Sequence, residues 1–270
     1  MAQRHATTSA IILAAGKGER MNSDLPKVCH PIGGRAMVCA VVDACLDAGC
    51  DRIVVVVGYK QELVCEALAG YDKVEFAVQD EQLGTGHAVR CASDAFADAS
   101  GDVFVLCGDG PLLRSDTLGR ILEVHRTTGA SATLATSVID DPDGYGRIVR
   151  DQQGRFTAIV EQKNATDEQL AIREINPSYY LFDTVKLFDA ISRVERNPVS
   201  GEYYVTDVPA MLAQAGDRVE VIDAVPPEDV LSINTPDQLA EVDRIFRERT
   251  AAPTTTTSEI PSSGAGRGDA

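Results

Sequence analysis

Leu13-Ala14-Ala15-Gly16-Lys17-Gly18-Glu19-Arg20-Met21, continuing to Leu25-Pro26-Lys27, follows directly on an apolar run at 9–14 that reads as a buried strand. Gly16 and Gly18 let the backbone approach a ligand and present N–H groups to it. Lys17, Arg20 and Lys27 place cations around the same turn. Glycines and cations after a first strand are what a triphosphate requires. Taken alone, the loop fits equally well a glycine-rich surface turn with solvated lysines. Two better-known phosphate loops do not match. No GxxxxGK[ST] occurs. In a GxGxxG pattern the third glycine would fall at Met21, and a Ser-Asp-Leu-Pro loop follows instead of a helix. The apolar run 53–57 also ends in Gly58-Tyr59-Lys60, with no acid to hold a ribose.

Outward from this loop, the first half alternates apolar runs with amphipathic stretches. Val38, Val41, Val42, Cys45 and Leu46 mark one helix face, and Gly49 is its stop signal. The unbroken β-branched run 53–57 reads as a central parallel strand. A helix is expected at 61–69, a strand at 74–78, a helix at 86–97 and a strand at 103–107. This order predicts right-handed βαβ units and a mainly parallel sheet. The second half reads as strands at 132–138, 146–150, 156–161 and 175–182, joined by turns such as Asp141-Pro142-Asp143-Gly144. These strands are expected to stand beside the first half as a wall for a second substrate. Helices are expected at 184–194, 205–215 and 236–249. The Thr, Ser, Pro and Gly composition after Thr250 reads as a disordered tail over 251–270.

Composition narrows the function. The 270 residues suit one large α/β domain or two small ones, and 44% are hydrophobic, as a packed core requires. A net charge of −16 argues against nucleic acid as a partner. No run of 18 apolar residues is present to span a membrane, and the polar start carries no secretion signal, so a cytoplasmic location is expected. The seven cysteines are odd in number and include no CxxC, which suits buried thiols in a reducing compartment. The four histidines show no metal-ligand spacing.

Further segments carry chemistry. Gln82-Leu83-Gly84-Thr85-Gly86-His87-Ala88 lies between a strand and a helix, where Gly84 and Thr85 suit a base or sugar edge, or Thr85 simply caps the helix. Cys107-Gly108-Asp109-Gly110-Pro111-Leu112 ends an apolar strand, where α/β folds bind ligands. Asp109 is a hard oxygen ligand suited to Mg²⁺, or an Asp in a proline turn. Gly144-Tyr145-Gly146-Arg147-Ile148, Val160-Glu161-Gln162-Lys163 and Glu174-Ile175-Asn176 are individually weak. Ser232-Ile233-Asn234-Thr235-Pro236 could cap the last helix.

In order and spacing, from about Ala10 to Phe246, these pieces resemble the pyrophosphorylase (uridylyltransferase) domain of N-acetylglucosamine-1-phosphate uridylyltransferase, within the sugar nucleotidyltransferases. The resemblance implies a Rossmann-like α/β fold, mainly parallel, with helices on both faces and an added β-rich sugar-binding lobe. It implies a nucleotidyltransferase domain over 8–250, its nucleotide-binding half about 8–130 and its sugar-binding lobe and C-terminal helices about 131–250. By the same resemblance Leu13, Ala14, Ala15 and Gly16 hold base and ribose, and Gln79, Gly84 and Thr85 read uracil. Arg20 and Lys27 stabilise the triphosphate and its transition state. Asp109 and Asn234 ligate Mg²⁺, and Gly146, Glu161 and Asn176 grip the sugar. The implied substrates are UTP and a sugar-1-phosphate. The alternatives are the same reaction with another pair, such as dTTP and glucose-1-phosphate, or a non-catalytic nucleotide-sugar-binding regulatory protein. The family usually has Tyr at Cys107, Val at Gly110, and Thr-Gly where Pro177-Ser178 follow Asn176. These departures lie on the sugar side. The family's acetyltransferase β-helix domain has no counterpart in the sequence, so neither that activity nor its trimer is expected, and the oligomeric state stays open.

Overall fold

The computed structural model describes residues 7–21, 23–231 and 233–251. The segment read as a tail lies, from 252 onward, outside the described residues. In chain order the elements are β1 (Thr8–Leu13), the short hairpin β2 (Pro31–Ile32) and β3 (Arg35–Ala36), α1 (Met37–Asp47), β4 (Arg52–Val57), α2 (Gln61–Ala67), β5 (Val74–Val78), α3 (Thr85–Cys91) and β6 (Asp102–Cys107). Then come α4 (Ser115–Thr128), β7 (Ala132–Val138), β8 (Gly146–Arg150), β9 (Phe156–Val160), α5 (Asp167–Leu170), β10 (Glu174–Asp183), α6 (Thr184–Ser192), α7 (Val208–Gln214), β11 (Val219–Asp223) and α8 (Pro236–Ala251).

Nine strands form one sheet, whose main path runs β11-β7-β10-β6-β1-β4-β5. β1 pairs in parallel with both β4 and β6, and β4 in parallel with β5. The chain therefore moves outward from β1 to β4 and β5, then returns to β6 on the other side. That reversal opens a crevice at the carboxyl ends of β1 and β6. β10 is antiparallel to both β6 and β7. Its direction brings its first residues to the same edge of the sheet as the last residues of β1 and β6.

Alternation along the strands explains why both faces are covered. Ala10 and Ile12 of β1 face one core, with Val38, Val41 and Val42 of α1, Val64 of α2, Leu118 and Ile121 of α4 and Val242 of α8. Ile11 faces the other, with Val89 of α3, Leu187 and Ile191 of α6 and Leu212 of α7. Every residue from Ile53 to Val57 is fully buried. Burying one such side chain is worth roughly 1.5–3 kcal/mol, so this run has no stable place except the sheet centre.

Several elements differ from the sequence reading. The expected 86–97 helix is α3 followed by a separate 3₁₀ turn at Ser93–Phe96, and the 205–215 helix opens with a 3₁₀ turn at Val205–Asp207. The second-half strands do not all stand beside the first half: β7, β10 and β11 extend the same sheet, and β8 and β9 branch from β10. The helix α4 and the edge strand β11 were not read at all. In α4 Leu118, Ile121, Leu122 and His125 recur at helical spacing and Gly129 follows as a stop, so this helix was legible in the sequence, whereas in β11 no residue is fully buried. Only β11 leaves a weak apolar signal.

Candidate active site

The loop after β1 is held by its neighbours on both sides. Ala14 N donates to Val56 O at 2.9 Å, Tyr59 N donates to Ala15 O at 3.0 Å, and Gly108 N donates to Leu13 O at 2.9 Å. Gly18 has φ +76°, and a Cβ there would lie 2.5 Å from Lys27 Cβ. Glycine therefore lets Lys27 fold back across the loop, where its N–H reaches Lys17 O at 3.3 Å. The Lys27 ammonium then meets Asp109 Oδ2 at 2.6 Å, across the gap between β1 and β6.

Three cavities open along this edge of the sheet, and Lys27 and Asp109 line all of them. One, of about 340 Å³, is walled by Leu13, Ala14, Ala15, Gly16, Gln79, Gly84 and Thr85. A second, of about 190 Å³, has Gly146, Glu161 and Asn176 in its wall. The third, of about 580 Å³, has Arg20 and Asn234. Every residue to which the resemblance gave a role thus lines one of three cavities adjoining at Lys27 and Asp109. Lys17 is outside these walls, with its ammonium 5.6 Å from the centre of the Tyr59 ring.

In the first cavity, the buried amide of Gln79 donates through Nε2 to Gly84 O at 3.1 Å. His87 Nδ1 lies 3.0 Å from that Nε2 and 3.0 Å from Glu81 O, so either ring tautomer ties the loop together. Gly84 has φ +98°, and a Cβ there would stand 2.5 Å from Tyr203 O. Gly86 N donates to Tyr203 O at 2.8 Å, and Val205 N donates to Thr85 Oγ1 at 3.1 Å. Thr85 is therefore not the helix cap: Gly84 holds that position without a side-chain bond.

In the second cavity, Gly146 pairs with Asn176 across β8 and β10. Asn176 Nδ2 donates to Tyr180 OH at 2.6 Å, and Ser178 N donates to Asn176 Oδ1 at 3.2 Å. Ser178 adopts φ +66°, a left-handed conformation that costs a non-glycine residue energy. Burial raises the pKa of Glu161, and the Thr206 hydroxyl, which donates to its Oε1 at 3.2 Å, partly offsets this. Cys107, in the wall of the first two cavities, has its thiol pushed up to about 12 by burial and by the Asp109 carboxylate.

At the start of α8, Thr235 Oγ1 accepts from Gln238 N at 3.2 Å, and Gln238 Oε1 accepts from Asn234 N at 2.7 Å. Thr235 thus takes the capping role, and Asn234 stands in the cavity wall. The donor set fits Mg²⁺. Among the described residues no group of three or more His, Cys, Asp and Glu is placed to hold a metal. A carboxylate and an amide oxygen on one cavity would instead complete their shell with phosphate oxygens and water, as Mg²⁺ prefers.

Other residues at the site went unassigned from sequence. Gln82 and Glu202 line the first cavity, Asp141 and Asp143 the third, and Tyr179 and Asp229 the second. Gln82 stood inside a quoted motif. Glu202 arrives from a distant segment and accepts from Lys163 Nζ at 2.8 Å. No local signal marks it.

Comparison with known proteins identifies the family. Residues 10–197 match the family model of the MobA-like NTP transferase domain. The chain is 45% identical over 241 residues to the bifunctional protein GlmU of Geobacter metallireducens, covering 89% of this chain and 51% of that protein. It is 41% identical over 240 residues to that of Clostridium acetobutylicum, covering 89% and 52%. The chain spans about half the length of these curated relatives. A crystal structure of UDP-glucose pyrophosphorylase complexed with UDP-glucose superposes with a TM-score of 0.70 at 15% identity, over 90% of this chain and 99% of that one. At that identity the likeness establishes the fold. With a family match over most of the chain and close relatives across the whole described fold, this chain belongs to the MobA-like NTP transferase domain family.

Proposed function

We propose that the chain joins UTP to a sugar-1-phosphate, with N-acetylglucosamine-1-phosphate as the sugar substrate, forming the UDP-sugar and releasing pyrophosphate. The observation that carries this is the Lys27–Asp109 pair, which adjoins a cavity suited to a nucleoside on one side and a cavity suited to a sugar on the other. A phosphate oxygen of the sugar phosphate attacks the α-phosphorus of UTP. The bond from that phosphorus to the bridging oxygen breaks, and pyrophosphate leaves with the electron pair. The nucleophile is already an anion, so no general base is required. The obstacle is bringing two anions together, which Arg20, Lys27 and the loop N–H groups relieve by placing positive charge where negative charge accumulates. Gln79, Gly84 and Thr85 orient the base, and Gly146, Glu161 and Asn176 orient the sugar. Asp109 and Asn234 would hold Mg²⁺, which neutralises phosphate charge when bound. The catalytic unit proposed is 8–250. Seven free thiols and no described helix long and apolar enough to cross a membrane are consistent with a cytoplasmic location.

A second reading keeps the reaction and changes the sugar or base. It is favoured by the small Cys107, Gly110 and the left-handed Ser178 on the sugar side. Pyrophosphate release across UTP, dTTP and CTP crossed with N-acetylglucosamine-, glucosamine- and glucose-1-phosphate decides between them. The highest kcat/KM is expected for UTP with N-acetylglucosamine-1-phosphate. A higher value for another pair would replace the specificity and keep the reaction. Tight binding of a UDP-sugar with no release from any pair would mark a non-catalytic binding protein.

A further inference from the structure

Asp229 has a side chain only 1% exposed, and two arginines from different elements close on it. Arg114 Nη2 donates to its Oδ1 at 2.9 Å, while Arg114 Nε lies 2.5 Å from Oδ2. Arg249, in the last turn of α8, brings Nη2 to 2.5 Å from Oδ1. Arg114 stands on the loop that carries Asp109 out of β6 toward α4, and Asp229 stands on the segment that leads to Asn234. One buried carboxylate therefore joins the loop of Asp109, the segment of Asn234 and the end of α8. The same segment is pinned nearby, because Tyr145 OH donates to Val230 O and Gln238 Oε1 accepts from Asn234 N. Arg114 and Arg249 line none of the three cavities around Lys27 and Asp109.

We propose that Arg114, Asp229 and Arg249 form a positioning device that sets the separation of Asp109 and Asn234. The proposal rests on the reading of those two residues as the metal-holding pair. The carboxylate is held by one hydrogen bond from Arg114 Nη2 and otherwise by charge, since Arg114 Nε and Oδ2 approach without hydrogen-bond geometry. Deprived of one partner it is a poorly compensated buried charge, so the segment has a single favourable seat. Asp109 and Asn234 are far apart in sequence and sit on loops, and without such a staple each could drift independently of the other. These residues act on the segments that carry Asp109 and Asn234 rather than on those side chains, so their loss is expected at or below the lower end of the about 10–100-fold that a direct outer partner of a metal ligand costs.

The test uses the full chain with Arg114→Ala, Arg249→Ala, Arg249→Lys and Asp109→Ala. Mn²⁺ is the metal probe, titrated in the presence of a non-hydrolysable UTP analogue and followed by the spin resonance of the free ion. Thermal unfolding is recorded in the same buffer. Arg114→Ala and Arg249→Ala are each expected to raise the Kd for Mn²⁺ by up to about tenfold. Arg249→Lys, which keeps the charge, is expected to recover most of the loss and carries the test if the alanine variants fail to fold. The Mg²⁺ concentration for half-maximal pyrophosphate release should move in parallel. Wild-type Mn²⁺ affinity in folded arginine variants, with Asp109→Ala impaired, overturns the positioning role and spares the metal pair. Mn²⁺ affinity unchanged in Asp109→Ala overturns both. A loss in the alanine variants that Arg249→Lys shares in full also counts against it, because the charge pairing would then have no part.

Discussion

Lys27 and Asp109 form an ion pair with side chains 16% and 35% exposed. A partly exposed pair of this kind contributes little to stability, so its place at the junction of three cavities is better explained by chemistry than by folding. Lys27→Ala is expected to lower kcat by about 10²–10³, the usual cost of one preorganised charge partner, while changing KM for either substrate far less. Steady-state kinetics with saturating Mg²⁺ checks this. Asp109 offers charge and Asn234 only a neutral oxygen, so Asp109→Ala should be the more damaging, and raised Mg²⁺ should rescue Asn234→Ala better. Because both would act through one ion, the double variant should lose less than the singles combined. Strict additivity would remove the shared-ion assignment. Gly84 makes a different claim. Its φ of +98° and the 2.5 Å approach of Tyr203 O leave no room for a methyl group. Gly84→Ala should therefore cost about 1–3 kcal/mol and raise the KM for UTP, seen together in thermal melts and nucleotide titrations.

At the scale of elements, α4 packs through Leu118, Ile121 and Leu122 at helical spacing and through one polar residue. Its buried face includes His125, whose Nδ1 lies 2.9 Å from Thr133 Oγ1 on β7 and whose Nε2 lies 3.5 Å from Asp102 Oδ1 on β6. Burial lowers the pKa of this imidazole, against the opposing pull of Asp102 and Asp183 and with help from Arg126. The folded pKa is thus below the unfolded one, about 6.5. The unfolded state takes up the proton first, so the stability contributed by neutral His125 is present above that pH and is lost as pH falls below it. The melting temperature of wild type should drop more steeply between pH 7 and 5 than that of His125→Gln. Equal slopes would show that other groups account for the acid sensitivity. The antiparallel β10 illustrates the converse point. Its apolar residues were legible, but its reversed direction, which carries Asn176 to the ligand edge, depends on its pairing with β6 and β7.

At the scale of the molecule, the parts read separately as nucleotide half and sugar wall share one continuous sheet and two cores. α8 matters to this unit at both ends: Asn234 precedes its first turn, and Arg249 in its last turn reaches back to Asp229. A chain ending at Thr250 keeps both. It should melt at the wild-type temperature and turn over at the wild-type rate, since the removed residues carry no recognisable catalytic pattern. A chain ending at Glu248 lacks Arg249 and should need more Mg²⁺ for half-maximal rate. Paired melting curves and Mg²⁺ titrations of the two chains check this, and a loss already present in the longer one would mean that the residues after Thr250 act on the body.

Much of this protein was determined by sequence alone, because its signals are local. A β-branched run such as 53–57 reads as a central strand, whereas the glycines and cations after 9–14 fit a phosphate loop or a surface turn equally well when taken alone. The family resemblance carried by the order and spacing of the short motifs then named candidate residues, and these line all three cavities. Where signals were weak or distant, tertiary structure decided. β11 has no fully buried residue, so it could not be read from periodicity. Glu202, His87 against Gln79, and Asp229 between two arginines owe their roles to approaches between separate segments. Such approaches follow from sheet order and strand direction, which the pattern of one segment does not encode.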